Sequence, residues 1–183
     1  MCITGQTLGI DGWKIPINYG LGAFFRNKMF TMKLEAVNHR YAEFFKVLPQ
    51  DWQKIINKTW DKVKETSTIY AILEEGSILA GGIVFTEKLP EMTEFEIKNG
   101  QPFFDLGYGY IGFLWVAENR RNEQLGSKWL KLLQERDLKQ GFWLTIEEED
   151  LRKFYEKNGF QTIVASGDKE NAEWLCVFDP EIN

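Results

Sequence analysis

The stretch Tyr108–Leu133, YGYIGFLWVAENRRNEQLGSKWLKLL, constrains the fold most. Gly109–Val116 is aromatic, apolar and β-branched, too short for an ordinary helix and right for a buried strand. Ala117–Glu123 is polar and contains Arg120, Arg121 and Asn122, which mark a turn. From Gln124 onward, Leu125, Trp129 and Leu132/Leu133 fall on one helical face. Asn122 is the expected N-cap, and Glu123 suits the first turn. A strand, a basic turn and a helix N-terminus make an anion site. The first N–H groups of a helix lack intrahelical acceptors, and the helix dipole adds positive charge there.

The flanking sequence predicts what packs around this unit. Met1–Asn27 is broken into short apolar pieces by Gly5, Gly9, Gly12, Gly20 and Gly22, and reads as an irregular N-terminal extension. Lys28–Val37 reads as a strand or a helix start. Asn38 is then expected to cap a helix over His39–Leu48, ended by Pro49. A second helix follows, with Trp52, Ile55, Ile56, Trp60 and Val63 on one face. Ser67–Leu73 and Ile78–Phe85 read as a hairpin about Glu74–Ser77, and Gly81-Gly82 predicts a bulge or a close backbone approach.

Thr86–Asp105 is acidic, is interrupted by Pro90, Gly100 and Pro102, and reads as a long binding loop. After the central helix, expected to end at Gly141, Phe142–Ile146 is a strand parallel to Gly109–Val116 because a helix joins the two. Glu148–Asn158 is a helix with acids in its first turn and Gly159 beyond its end. Gln161–Ala165 and Ala172–Phe178 are strands about a polar turn. The whole chain, 1–183, reads as one α/β domain with a mixed sheet.

The turn is not a phosphate loop of the nucleotide-hydrolase kind, because no Gly-Lys-Ser/Thr ends it, and the lone Gly126 is no dinucleotide fingerprint. RNEQLGS (Arg121–Ser127), after LWV and before an amphipathic helix, resembles the acyl-CoA pyrophosphate loop of the GNAT acyltransferase superfamily. That loop runs Arg/Gln-x-x-Gly-x-Gly/Ala. Arg121 matches its first position and Gly126 its last, while Gln124 stands where the first glycine is usual. FYEKNGF (Phe154–Phe160) is similar to a second superfamily segment, whose tyrosine lies near the CoA sulfur; Tyr155 takes that position. The resemblance spans Ser67–Phe178, with a general likeness before it.

The resemblance implies an α/β (α+β sandwich) fold with a GNAT-like mixed central sheet, splayed between two parallel strands and flanked by helices. It implies acetyl-CoA as co-substrate, an amine acceptor that is a small molecule or a peptide, and direct attack on the thioester. Backbone groups of Leu114, Trp115 and Val116 would pair with the pantetheine arm. The amides of Arg121, Asn122, Glu123, Gln124, Leu125, Gly126 and Ser127 would cradle the pyrophosphate, and Tyr155 would protonate the leaving thiolate. Superfamily members often carry a basic Glu or His early in the central strand; here Tyr108 and Tyr110 stand there. Asp105 and Glu87 are the acids expected to take the amine's proton. The superfamily asparagine is replaced by Glu148. A homodimer through Glu173–Phe178 is a further implication. A non-catalytic module of the same fold, binding acyl-CoA or a protein, is the alternative.

Composition narrows the remaining classes. The net charge of −5 argues against general nucleic-acid binding. Two cysteines, Cys2 and Cys176, make no disulfide framework, and a reduced, cytoplasmic setting fits them. No basic-then-apolar leader begins the sequence, and no apolar run reaches the roughly 20 residues that cross a bilayer. No Cys/His cluster suggests a metal. Ser127 and Ser166 lack an evident histidine partner, and His39, the one histidine, reads as structural. Trp115 and Trp129 read as core.

Overall fold

The computed structural model describes residues 32–167 and 172–181. The expected irregular segment 1–27 lies outside the described residues, as does Cys2. Seven strands form one sheet in the order β1-β2-β3-β4-β5-β7-β6. They are β1 (Leu34–Ala36), β2 (Ser67–Glu74), β3 (Ser77–Phe85), β4 (Gly109–Val116), β5 (Phe142–Ile146), β6 (Gln161–Ala165) and β7 (Trp174–Phe178). Every pairing is antiparallel except β4 with β5, which is parallel. The helices are α1 (Tyr41–Val47), α2 (Gln50–Val63), α3 (Glu94–Asp105), α4 (Leu125–Arg136) and α5 (Glu149–Lys157).

Alternation along the strands builds two cores. On β5, Phe142, Leu144 and Ile146 join Trp129, Leu133, Leu151 and Tyr155 of α4 and α5. Trp143 points the other way, into a cluster with Phe44, Phe45, Trp52 and Trp60 of α1 and α2 and with Phe113 of β4. A period of two therefore places one helix layer on each side of the sheet.

The feature that positions the site is the short reach of the parallel pair. β4 and β5 are in register only at Gly109–Phe142 and Tyr110–Trp143. Beyond Tyr110 the two strands part, and β4 runs on to Val116 without pairing to β5. A bulge lies on the opposite edge of β4, where the pairing with β3 shifts between Gly81 and Ile83 and Phe113 takes φ +56°. A β-carbon on Gly82 would come within 2.9 Å of the Trp129 ring, so glycine lets α4 lie directly on the bulge.

Several expectations are corrected. Thr86–Asp105 is not a long loop, since its second half is α3. A capping box starts that helix: the Glu96 N–H donates to Thr93 Oγ1, and the Thr93 N–H donates to the Glu96 carboxylate. Pro102 sits inside the helix, and Gly100 is required because a β-carbon there would lie 2.1 Å from the Trp143 ring. Asn38 caps no α-helix. It opens a tight helical turn, and its amide reaches across to β2, donating to Ser67 O at 2.9 Å and accepting from the Ile69 N–H at 2.8 Å. α4 ends at Arg136, ahead of Gly141. Asn122 does not cap α4 either; Gln124 occupies that position, in the left-handed region. β7 lies between β5 and β6, with both its edges paired within the chain.

Candidate functional site

The chain leaves β4 at Val116, makes a tight helical turn over Glu118–Arg120 and enters α4 at Leu125. Asn122 at φ +75° and Gln124 at φ +57° fold the intervening loop back on itself. Left-handed residues other than glycine cost roughly 1–2 kcal/mol each, so something must hold this loop. Arg120 does. Its guanidinium donates to Glu74 of β2 at 2.6 Å and to Glu123 at 2.6 Å. The hydrogen bond from Arg120 holds the Glu123 carboxyl below the usual carboxylate range, and the same partners push the guanidinium up. Glu123 is thus ion-paired within its own loop, to a guanidinium it shares with Glu74.

The N–H groups of Leu125, Gly126 and Ser127 have no intrahelical acceptor, by the geometry of a helix start. They front a cavity of about 320 Å³ lined by Val116, Arg121, Gln124, Leu125, Gly126 and Ser127, and closed on the far side by Lys153, Phe154 and Lys157 of α5. Asn122 lines it as well. A β-carbon on Gly126 would sit 3.2 Å from the Phe154 ring, so glycine gives that ring room against the start of α4. Arg121 is 3.6 Å from Glu118, and Lys153 is 3.3 Å from Asp150. A helix N-terminus ringed by Arg121, Lys153 and Lys157 suits polyphosphate.

Of the expected binding residues, Val116, Arg121, Asn122 and Gln124–Ser127 meet in this cavity. Leu114 and Trp115 lie upstream on the stretch of β4 that does not pair with β5, both half-buried. Tyr155 is buried, with ring centroids 5.1 Å from Phe154 and 5.5 Å from Phe160. Phe154 is the aromatic side chain that reaches the cavity. Glu87 and Asp105 do come together, in a shallow pocket with Lys88, Gln101 and Phe104. That pocket lies at the start of β4, the closed end of the splay, and Asp105 there accepts a 2.6 Å hydrogen bond from Gln101. Lys153 and Lys157 were not legible as site residues; as charges at i and i+4 on an exposed helix they look like ordinary solvated lysines.

One buried polar cluster bridges the opening itself. Glu96 of α3 is fully buried, and its Oε1 accepts from Tyr110 Oη of β4 at 2.9 Å and from Thr145 Oγ1 of β5. Among the described residues no group of His, Cys, Asp and Glu is placed to hold a metal ion. No described helix is long and apolar enough to cross a membrane.

A family model described as Acetyltransferase (GNAT) family matches residues 34–160. The chain belongs to the GNAT acetyltransferase family. The seven-stranded mixed sheet with its single parallel pair is the fold of the solved GNAT proteins it resembles. A Bacillus subtilis acetyltransferase in complex with CoA superposes with a TM-score of 0.56 at 11% identity, covering 81% of this chain and 99% of that one. The aminoglycoside acetyltransferase AAC(6')-Ib, in complex with coenzyme A and kanamycin, gives 0.53 at 17%, covering 82% and 96%. A chimeric spermidine N-acetyltransferase from Vibrio cholerae and hSSAT gives 0.54 at 9%, covering 83% and 97%. At such identities the likeness is one of fold. No curated protein matches the sequence.

The usual first glycine of the GNAT loop has a physical account in this chain. Gln124 adopts the left-handed conformation that a glycine would take without strain. Gln124→Gly is therefore expected to leave stability within about 1 kcal/mol of wild type, relief of strain offsetting the added unfolded-state entropy. With CoA as the polyphosphate probe, its affinity should match or exceed that of the parent in calorimetry. A tenfold loss of affinity would mean that the glutamine side chain itself holds the ligand.

Proposed function

We propose that this GNAT protein transfers an acetyl group from acetyl-CoA to a primary amine by direct attack. The observation that carries the reading is the cavity at the start of α4. It lies at the open end of the β4–β5 splay and combines free helix N–H groups with Arg121, Lys153 and Lys157. In this reading the amides of Arg121–Ser127 hold the pyrophosphate, and the flanking cations offset its charge. The pantetheine arm pairs with the unpaired edge of β4 at Leu114–Val116, as an added strand would. The thioester then lies in the splay, and Tyr155 protonates the departing thiolate.

Direct attack is favoured over a covalent acyl-cysteine. The one cysteine among the described residues, Cys176, is buried between β5 and β6, and burial pushes its thiol up to about 11. A thiol so held is a weak nucleophile near neutral pH.

Acetyl-CoA at about 100 times its Kd should stabilise the fold by about 2.7 kcal/mol. For a chain of this length that is a rise in melting temperature of roughly 5–10 °C. No shift at millimolar acetyl-CoA removes the cofactor assignment. The acceptor is then sought by following thiol release across polyamines, aminoglycosides, amino acids and peptide N-termini. Kanamycin and spermidine come first, because similar folds carry those names. Silence across the panel with the thermal shift intact would leave a module that binds acyl-CoA without turning it over.

A further inference from the structure

An ammonium substrate must lose a proton before it can attack, and β4 itself carries no carboxylate or histidine. Where the central strand of the family often has its base, this chain has Tyr110, and the structure shows what Tyr110 holds. Its hydroxyl donates to Glu96 Oε1 at 2.9 Å, and the same oxygen accepts from Thr145 Oγ1. Thr145 lies two residues beyond Trp143, the last residue of β5 that pairs with β4. The carboxylate therefore spans the parted strands just beyond the point where they separate.

We propose that Glu96 is the proton acceptor for the amine, working through the Tyr110 hydroxyl. This rests on the acetyl-transfer reading above. The ammonium first gives a proton to Tyr110 Oη as the tyrosine's own proton moves to Glu96 Oε1. The neutral amine nitrogen then bonds to the thioester carbonyl carbon and sheds its surplus proton to solvent. The carbon–sulfur bond breaks, and the sulfur takes its proton from Tyr155. Glu96 later returns its proton to solvent, and Tyr155 regains one from it. Tyr110 and Glu96 are both fully buried, so the amine reaches Tyr110 by entering between the parted strands, and Glu96 acts through it.

The fold delivers the carboxylate from outside the central strand. The Thr93–Glu96 capping box fixes the first turn of α3, using Oε2 and leaving Oε1 to face β4 and β5. The Thr93 hydroxyl in turn donates to Glu173, ahead of β7, at 3.0 Å. The charged groups on this side are Glu173 and, after β5, Glu147. Burial first, then the nearby Glu96 and Glu147, push the Glu173 carboxyl up, with the Thr93 hydrogen bond opposing. Negative charge gathered here attracts a cationic amine.

The test separates a base from a structural rivet. Glu96→Gln can keep the capping box with its one amide oxygen, and its NH2 then donates to the Tyr110 and Thr145 hydroxyls, which turn to accept. The site stays filled and hydrogen-bonded, and the ability to take a proton from Tyr110 is lost. Thiol release from acetyl-CoA is followed with kanamycin or spermidine, whichever the wild type turns over, or otherwise as basal hydrolysis with water as the nucleophile. Glu96→Gln is expected to lower kcat/KM at least tenfold and to abolish the fall in rate toward acid pH, while the acetyl-CoA thermal shift stays as in wild type. Tyr110→Phe, which keeps the ring, is expected to do the same. Wild-type rates and an unchanged pH profile in Glu96→Gln overturn the assignment. If Glu96→Gln fails to fold, a wild-type rate in Tyr110→Phe overturns it alone. A wild-type chain that releases no thiol under any of these conditions removes the acetyl-transfer reading, and this assignment with it.

Discussion

Trp129→Ala is expected to destabilise the fold by about 3–5 kcal/mol, the range for emptying a buried tryptophan site. Trp129 is fully buried and joins α4 to the sheet. Its ring lies over Gly82 at the β3–β4 bulge, and its indole N–H donates to Tyr70 O on β2 at 3.0 Å. The alanine variant loses the ring, leaves a cavity that the stiff sheet cannot fill, and takes a donor from the Tyr70 carbonyl. The melting temperature should fall by roughly 6–20 °C.

The loss should reach the site as well. α4 carries the loop amides at its first turn, one turn of helix before Trp129. With the helix loosened, the acetyl-CoA thermal shift should shrink along with the baseline stability. Trp129→Phe, which refills most of the space, should recover more than half of both. Urea unfolding with and without acetyl-CoA measures the two quantities together. A loss under about 1 kcal/mol in the alanine variant would mean that α4 is held elsewhere.

What the sequence made legible follows from how local each signal is. β4, β5 and β6 were read to their ends, because short buried runs bounded by glycine or polar residues have few other ways to fold. The Tyr155–Phe160 turn was legible for the same reason: Gly159 at φ +88° and the Phe160 N–H to Tyr155 O bond are a helix-end device written in adjacent residues. α3 was lost to its glycine and proline. Gly100 reads as a breaker until the Trp143 ring, 43 residues on in sequence, is seen to need the space. The stronger local signal, Thr93 followed three positions later by Glu96, was present and outweighed.

The loop shows the same divide. Its composition announced an anion site, but its two left-handed residues depend on Arg120 reaching Glu74 across 46 positions. An N-cap asparagine was the simplest local solution; a tertiary ion pair makes another one available. The structure puts the acids read from sequence at one end of β4: Asp105, just before the strand, and Glu87, just after β3, share a pocket there, whereas Glu96, between them in the chain, folds over the opening. Nearness in sequence does not say which end of a strand a helix covers.

Tyr155→Phe separates chemistry from packing at the other end of the proposed reaction. The Tyr155 ring is buried against Phe154 and Phe160 in edge-on contacts, and phenylalanine can keep both. Stability should therefore change by no more than about 1–2 kcal/mol, the worth of a buried hydroxyl with its hydrogen bond. The acetyl-CoA thermal shift should persist, because the cavity is lined by Phe154 and not by Tyr155. Turnover, by contrast, should fall roughly 10²–10⁴-fold, the contribution of a positioned general acid. A thiolate forced to leave without its proton accounts for the loss, and no ground-state contact needs to change, so kcat should drop with little movement in KM for acetyl-CoA. A packing role predicts the opposite pattern: measurable loss of stability with turnover intact. Stopped-flow thiol release and thermal melts on the same preparation distinguish the two, and wild-type turnover in Tyr155→Phe would return the residue to the core.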